Sequence, residues 1–333
     1  MKKKVLIIGT GSIAKRHIEN ILKLKQKIDL SIFSNNESRA KVFIRKLKSK
    51  KIYIVKKKYI NKIKFSHVII ASKTIEHNKY INFFFKNCEN IYCEKPLPID
   101  KYTKLLMSLS KKRKINEKIK IGYQFRFNPA IQYLKKELKK KENKNTYLIK
   151  FSCGQNLKDW RNKLNYKKLH SAGNNYYGSV NWELSHELDI LQFIFDKPNK
   201  IFSKFTKTNY LKINTTDLST TTLKFKNKKT NCVVALEMLS PVLYRKLIVV
   251  SLNNYYEIDL VNNIVFKNNK KKKLTLKFKK NRNSMFSDFM KRFINNEKKS
   301  KKFDFATLKD GLIVSRIIHK MHESNLKNKF ISL

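Results

Sequence analysis

The feature that most constrains this chain lies near its amino end, in Lys4-Val5-Leu6-Ile7-Ile8-Gly9-Thr10-Gly11-Ser12-Ile13-Ala14. An apolar run of strand length meets a Gly-x-Gly turn, and a helical pattern follows. That order is the one a dinucleotide-binding turn requires. Gly9 lets the chain turn sharply. Gly11 lets backbone amides approach a pyrophosphate, and Ala14 is small enough for the helix to pack closely on the strand. The anion would sit over Gly9, Thr10, Gly11, Ser12 and Ile13, where unpaired N–H groups and the helix dipole favour negative charge. The chain has only seven glycines in 333 residues, and two of them fall here. The competing reading is a short glycine turn in an unrelated α/β domain.

Over the first 122 residues, short apolar runs alternate with helical patterns, which predicts βαβ units and a parallel sheet. Strands are expected at Val5–Ile8, Leu30–Phe33, Ile52–Val55, His67–Ala71, Ile91–Cys93 and Lys118–Gly122. Helices are expected at Ile13–Leu24, Glu37–Leu47, His77–Phe85 and from Asp100 to about Lys112. Six strands with right-handed crossovers make a Rossmann nucleotide-binding domain over 1–122. A helix is expected at Asn128–Lys139. From Thr146 onward strands dominate: Thr146–Cys153, Lys200–Thr206, Leu218–Phe225, Asn231–Leu239, Leu247–Leu252, Tyr255–Leu260 and Leu274–Phe278. Short turns between consecutive strands mean a large, mostly antiparallel sheet. With helices at Trp182–Phe195, Met285–Asn295 and Thr307–Asn325, residues 123–333 read as an α+β domain for substrate and oligomer contacts. The tract Asn268–Lys273 reads as a solvated turn.

Composition bounds the rest. No run of eighteen apolar residues occurs, so no membrane span is expected. The chain passes directly from Met1-Lys2-Lys3-Lys4 into a strand, with no signal-peptide pattern, and a cytoplasmic location is expected. Cys88, Cys93, Cys153 and Cys232 have no metal-binding spacing and read as buried free thiols. The net charge of +52 is extreme. It would draw polyanions non-specifically, but the lysines are spread along the chain together with abundant Asn and Ile. A compositional bias and a solvated surface explain that pattern better than a specific nucleic-acid site. His319 and His322 share a helical face without an acidic or cysteine partner, so no metal site is expected.

In order and spacing the motifs resemble those of the glucose–fructose oxidoreductase, inositol dehydrogenase and rhizopine-catabolism (Gfo/Idh/MocA) oxidoreductases, over essentially the full length. Gly9–Ala14 resembles the family's cofactor turn. Ala71–His77 resembles its A-T-P-x-x-x-H segment, and Glu94-Lys95-Pro96 its E-K-P signature. Gly122–Pro129 is similar to its G-x-x-x-R-F-x-P segment. Trp160-Arg161 and Glu183–Asp189 are similar to the W-R and D-L-S-H-E-L-D of one branch. The resemblance implies a nicotinamide cofactor held by the turn together with Ser34, Arg39, Ala71, Ser72, His77, Glu94 and Lys95. It also implies hydride exchange with a sugar, cyclitol or sugar-nucleotide carbon.

The site residues have their own chemical logic. Lys95 stands at the carboxyl end of a parallel strand, where an ammonium can hydrogen-bond a substrate hydroxyl and polarise the developing carbonyl; otherwise it is one more surface lysine. The imidazole of His186 suits transfer of the hydroxyl proton, against the alternative of a core histidine. Glu183, three residues earlier, would share its helical face and orient the ring, although the related branch has Asp there. Asp189 reads either as a second orienting carboxylate or as a solvated helix charge. Tyr123 and Arg126 read as substrate contacts, the arginine suiting an anionic group, or as an interdomain strut. Trp160 and Arg161 could form a stacking, anion-binding edge, or the indole could simply be packed in a loop.

Three departures stand out. Tyr176-Tyr177-Gly178-Ser179 replaces a Gly-rich segment, and Lys73 replaces a proline. Third, Ser34 at the end of the second strand stands where NAD-selective sites carry an acidic residue. With Arg39 nearby, the cofactor reading is NAD or NADP with a slight lean to NADP. The main expectation is an NAD(P)-dependent oxidoreductase acting on CH–OH groups, with no metal, as a homo-oligomer. The alternatives are a non-catalytic nucleotide- or polyanion-binding protein, and an enzyme using tightly bound NAD in a redox-neutral lyase or hydrolase reaction.

Overall fold

The computed structural model describes residues 2–47, 52–140, 143, 145–160, 165–173, 176–226, 229–279, 282–295 and 305–333. The chain divides into two compact units, Met1–Gln124 with Asn281–Leu312, and Phe125–Lys280 with Ile313–Leu333. A boundary near residue 122 is close to the first division. The return of 281–312 to the first unit departs from the expected run of 123–333 as one domain.

The first unit begins with β1 (Lys3–Ile8), α1 (Ser12–Leu22), β2 (Ile28–Phe33), α2 (Glu37–Leu47) and β3 (Ile52–Ile54). It continues with β4 (Phe65–Ile70), α3 (His77–Phe84), β5 (Cys88–Cys93), α4 (Thr103–Leu109), α5 (Arg113–Lys118) and β6 (Ile119–Ile121). The six strands pair in parallel in the order β6-β5-β4-β1-β2-β3. Residues 5–8 and 68–70 are fully or almost fully buried, as strands covered on both faces require. The helix expected from Asp100 to Lys112 is shorter and later. Asp100 instead folds an Asx turn, its Oδ1 accepting from the Tyr102 amide at 2.9 Å. The expected helix gives way to α4, and the basic stretch after it forms the separate α5.

The second unit contains α6 (Pro129–Glu137), β7 (Thr146–Gly154), α7 (Val180–Glu183) and α8 (His186–Phe195). The strands β8 (Lys200–Thr206), β9 (Leu218–Lys224), β10 (Asn231–Glu237), β11 (Tyr244–Ser251), β12 (Tyr255–Asp259), β13 (Ile264–Asn268) and β14 (Lys273–Lys277) follow. The expected helix at Trp182–Phe195 is broken. Leu184 has φ −96° and ψ 40°, outside the helical region, so Glu183 ends α7 and His186 begins α8. The strand β13 has no counterpart in the sequence reading; Asn263, at φ 55°, turns the chain from β12 into it. The sheet is antiparallel throughout except between β7 and β10, which run parallel.

One face of this sheet is buried through Ile149, Phe151, Val234, Leu236, Leu247 and Val249, with α6 packed on β12 and α7 on β9 and β10. The opposite face is open. Across it Val233, Lys150, Ile248, Glu257 and Phe266 lie side by side in register.

The chain then forms α9 (Arg282–Ile294), β15 (Ala306–Thr307), α10 (Leu308–Lys327) and β16 (Ile331–Ser332). In the first unit α9 packs on α1, and β15 adds an antiparallel edge to β6. In the second, β16 pairs with β8. No helix among the described residues is long and apolar enough to cross a membrane.

Candidate active site

The first unit's candidate site is the carboxyl edge of its parallel sheet, where open sheets of this kind bind ligands. Four backbone bonds extend the ladder by one residue. Gly9 N donates to Phe33 O (3.0 Å), while Ala71 N, Glu94 N and Gly122 N donate to Ile8 O, Ile70 O and Cys93 O, each at 2.8 Å. The glycine turn, the segment after β4 and the Glu94-Lys95-Pro96 segment are thereby aligned. Gly9 adopts φ +116°, and a Cβ there would lie 2.3 Å from the Ala71 carbonyl oxygen. Only glycine satisfies both demands.

These residues fit a dinucleotide. No side chain caps the amino end of α1, so its first-turn amides are left to an outside acceptor. A Cβ on Gly11 would meet nothing within 4 Å, and Ser12 is exposed, while Thr10, Gly11 and Ile13 are half-buried. Ala14 is fully buried against the sheet. The Ser72 hydroxyl oxygen is buried and has no hydrogen-bond partner among the described residues. At the end of β2, Ser34 Oγ accepts from Asn36 N at 3.3 Å, and Asn36 caps α2 by accepting from Arg39 N at 2.8 Å. Asn35 reaches Glu76 and Tyr80. No carboxylate belongs to residues 33–36, and the Arg39 side chain is exposed.

Two residues assigned to the cofactor by sequence are buried and hydrogen-bonded within the protein. His77 is buried, with Nδ1 facing Pro96 O at 2.9 Å and Nε2 facing Ser72 O at 3.3 Å. It ties the loop after β4 to the loop after β5 and leaves no ring nitrogen over for a ligand. Burial pulls its pKa below the usual imidazole value, against the two carbonyls and the charge of Glu94. Glu94 is also buried. Its Oε1 accepts from Tyr92 OH at 2.5 Å and Gln124 Nε2 at 3.3 Å, and lies 2.7 Å from His17 Nε2. Its Oε2 accepts from the Lys95 amide at 3.3 Å. Burial alone would raise its pKa, but the hydrogen bond and charge of His17, with the Tyr92 hydroxyl, hold it below the usual carboxylate range. A Cβ on Gly122 would come within 2.8 Å of Glu94 Oε2, so the close approach needs a bare backbone there. Lys95 itself is half-buried. Sequence reasoning passed over His17, Tyr92 and Gln124. The available signal was His17 lying between Ala14 and Ile18 on the buried face of α1.

In the second unit, Arg126 and Asp189 are both buried and form a two-pronged pair, Nη2–Oδ1 2.7 Å and Nε–Oδ2 2.9 Å. The guanidinium also lies 4.7 Å from the Phe193 ring centre. Arg126 is thus placed in a clamp on α8 instead of offering its fork to a substrate anion, and Asp189 is not a solvated helix charge. The half-buried His186 sits edge-to-face with Phe125, centroids 5.1 Å apart. Arg245 also lies over Phe125, 4.5 Å from the ring centre, and is 2.7 Å from the fully buried Glu187. Glu183 accepts from Ser171 Oγ at 2.7 Å; with the helix broken at Leu184, it does not share a continuous helical face with His186. Trp160 is half-buried, its Nε1 donating to Gln155 O at 3.2 Å. Arg161 lies outside the described residues. Tyr123 is fully buried in the first unit. Tyr176 and Tyr177 pack their rings against Trp182.

A parallel sheet in this order, with a glycine turn after its central strand and an uncapped helix beyond, defines a Rossmann dinucleotide-binding domain. Residues 3–117 match the model of the Gfo/Idh/MocA oxidoreductase family, described as NAD-binding Rossmann fold. No curated protein matches the sequence. Solved structures share the fold of the whole chain. A scyllo-inositol dehydrogenase from Lactobacillus casei, with bound NAD(H) and scyllo-inositol, superposes with a TM-score of 0.79 at 15% identity, covering 100% of this chain and 99% of that one. A myo-inositol 2-dehydrogenase from Lactobacillus plantarum gives 0.77 at 15%, covering all of both chains. A UDP-N-acetylglucosamine 3-dehydrogenase from Acidithiobacillus ferrooxidans gives 0.77 at 16%, covering 97% and 98%.

Proposed function

We propose that this protein is an NAD(P)-dependent oxidoreductase that exchanges hydride with a hydroxyl-bearing carbon of a sugar, cyclitol or sugar nucleotide. The observation that carries the reading is the alignment at one sheet edge of the Gly9 turn, the uncapped α1 and Lys95. A nicotinamide dinucleotide bound there supplies or accepts the hydride. The chain's part is binding and proton handling. The amides at the start of α1 hold the pyrophosphate. Lys95 Nζ hydrogen-bonds the substrate oxygen and stabilises the charge that develops on it. The His186 imidazole takes the hydroxyl proton on oxidation and returns it on reduction. The substrate class follows from the three dehydrogenases sharing this fold. The lack of a carboxylate at 33–36, with Arg39 exposed beside it, supports a lean to NADP. The mixed apolar and charged open face of the second unit's sheet supports a homo-oligomer. Four buried free thiols suit a reducing cytoplasm.

The test is titration with NADH and NADPH at raised salt, with heparin and ATP as controls, because a +52 chain attracts any polyanion. Saturable, salt-tolerant binding of one dinucleotide is expected. Lys95→Ala is expected to abolish turnover on sugar and cyclitol substrates while dinucleotide affinity stays within about threefold. Binding that fades with salt and is matched by heparin, or full turnover in Lys95→Ala, overturns the reading.

A further inference from the structure

The buried cluster around Glu94 joins two parts of the site that sequence reasoning treated separately. His17 lies on α1, the helix whose amino end faces the dinucleotide position. It is 1% exposed, and its Nε2 is 2.7 Å from Glu94 Oε1. Glu94 in turn accepts from the Lys95 amide. With Glu94 ionised, Nε2 is the donor. The ring is fixed from the other sides by Tyr92, edge-to-face at 5.0 Å, and by Phe286 of α9 at 6.1 Å. Its Nδ1 is buried without a hydrogen-bond partner among the described residues, so the carboxylate is the polar group that orients the ring. Tyr92 OH is itself held by Gln124 Nε2 at 2.7 Å. The cluster is therefore closed and rigid, with α1 at one end and the Lys95 backbone at the other. A continuous hydrogen-bonded chain of this kind can carry a displacement at one end to the other.

We propose that His17 is a positioning residue that couples dinucleotide binding at α1 to the placement of Lys95, acting through Glu94. This rests on the reading of α1 and Lys95 given above. Anion binding at the amino end of α1 shifts that helix, His17 moves with it, and the Glu94 carboxylate carries the movement to the Lys95 backbone. The role needs a donor at Nε2 and an ionised acceptor at Glu94. A ring of the same shape without the donor fills the space but loses the coupling.

The experiment compares wild type, His17→Phe, His17→Gln and Glu94→Gln. Lys95 reactivity is read as its acylation rate by an amine reagent, located by peptide mass spectrometry, with and without saturating NADH. In wild type NADH is expected to change that rate. In His17→Phe, NADH should still bind within about threefold of wild type, but the Lys95 response should vanish and turnover should fall about tenfold to a hundredfold at saturating substrate. His17→Gln, which keeps a donor near the Nε2 position, should recover most of the response. Glu94→Gln should lose it, and adding His17→Phe to Glu94→Gln should cost little more. A Lys95 response in His17→Phe equal to that of wild type, with or without a lower melting temperature, overturns the coupling. If His17→Phe does not fold, a normal response in Glu94→Gln overturns it equally. Failure of wild type to bind NADH, or full turnover in Lys95→Ala, instead overturns the functional reading.

Discussion

A single methyl group tests the dinucleotide turn. At Gly9 it would be forced against the Ala71 carbonyl and into a backbone region that residues with a side chain avoid. Gly9→Ala should cost about 1–3 kcal/mol of stability from the strained backbone, more with the clash, and should abolish dinucleotide binding. Urea unfolding and NADH titration would check both. This position was legible in the sequence because the demand is local, with an apolar strand, a glycine and a helix in one stretch. The place of Lys95 just after β5 was legible for the same reason. His17 was not, because a histidine on the buried face of an amphipathic helix looks like any core residue until its partner, 77 positions away, is seen. Arg126 was read either as a contact to a substrate anion or as an interdomain strut, and its buried partner was not foreseen. The fold brings Asp189 to it from 63 positions away.

At the scale of elements, that pair fixes α8. Removing one member of a buried ion pair leaves an uncompensated charge and costs about 3–5 kcal/mol, whereas replacing both by apolar residues is often neutral. Arg126→Ala should therefore destabilise the second unit by about that much, and Arg126→Met with Asp189→Leu should recover most of it, as read by urea unfolding. An Arg126 that served only substrate binding would raise KM and leave stability unchanged. Most strands and helices were readable from their periodicity. The break between α7 and α8 was not, since residues 182–195 keep a helical pattern straight through Leu184. Nor was α5, whose Arg-Lys-Ile-Asn-Glu-Lys has one apolar residue to mark a face. The five residues of β13 are too few for alternation to declare itself beside the Asn-rich turns around them.

At the scale of the molecule, the open sheet face predicts self-association. Val233 and Phe266 are each about two-fifths exposed there, at 39% and 41%, and Ile248 lies between them. Val233→Glu together with Ile248→Lys should convert the protein to monomer in sedimentation analysis without unfolding it; a monomeric wild type would refute the homo-oligomer. Domain layout was the least legible property. A charge-rich segment such as 281–312 carries no local sign of where it will pack, and its membership in the first unit depends on contacts with α1 and β6. This return has a consequence for how the molecule comes into being. During translation the glycine turn, its helix and the Glu94 cluster are all made early, but Phe286 and the rest of α9 leave the ribosome only after the second unit's sheet strands through β14. The nascent dinucleotide domain must wait with the outer side of α1 bare. A gene cut after residue 124 would encode a fragment missing one wall, whereas a fragment joined directly to 281–312 would encode the whole of it.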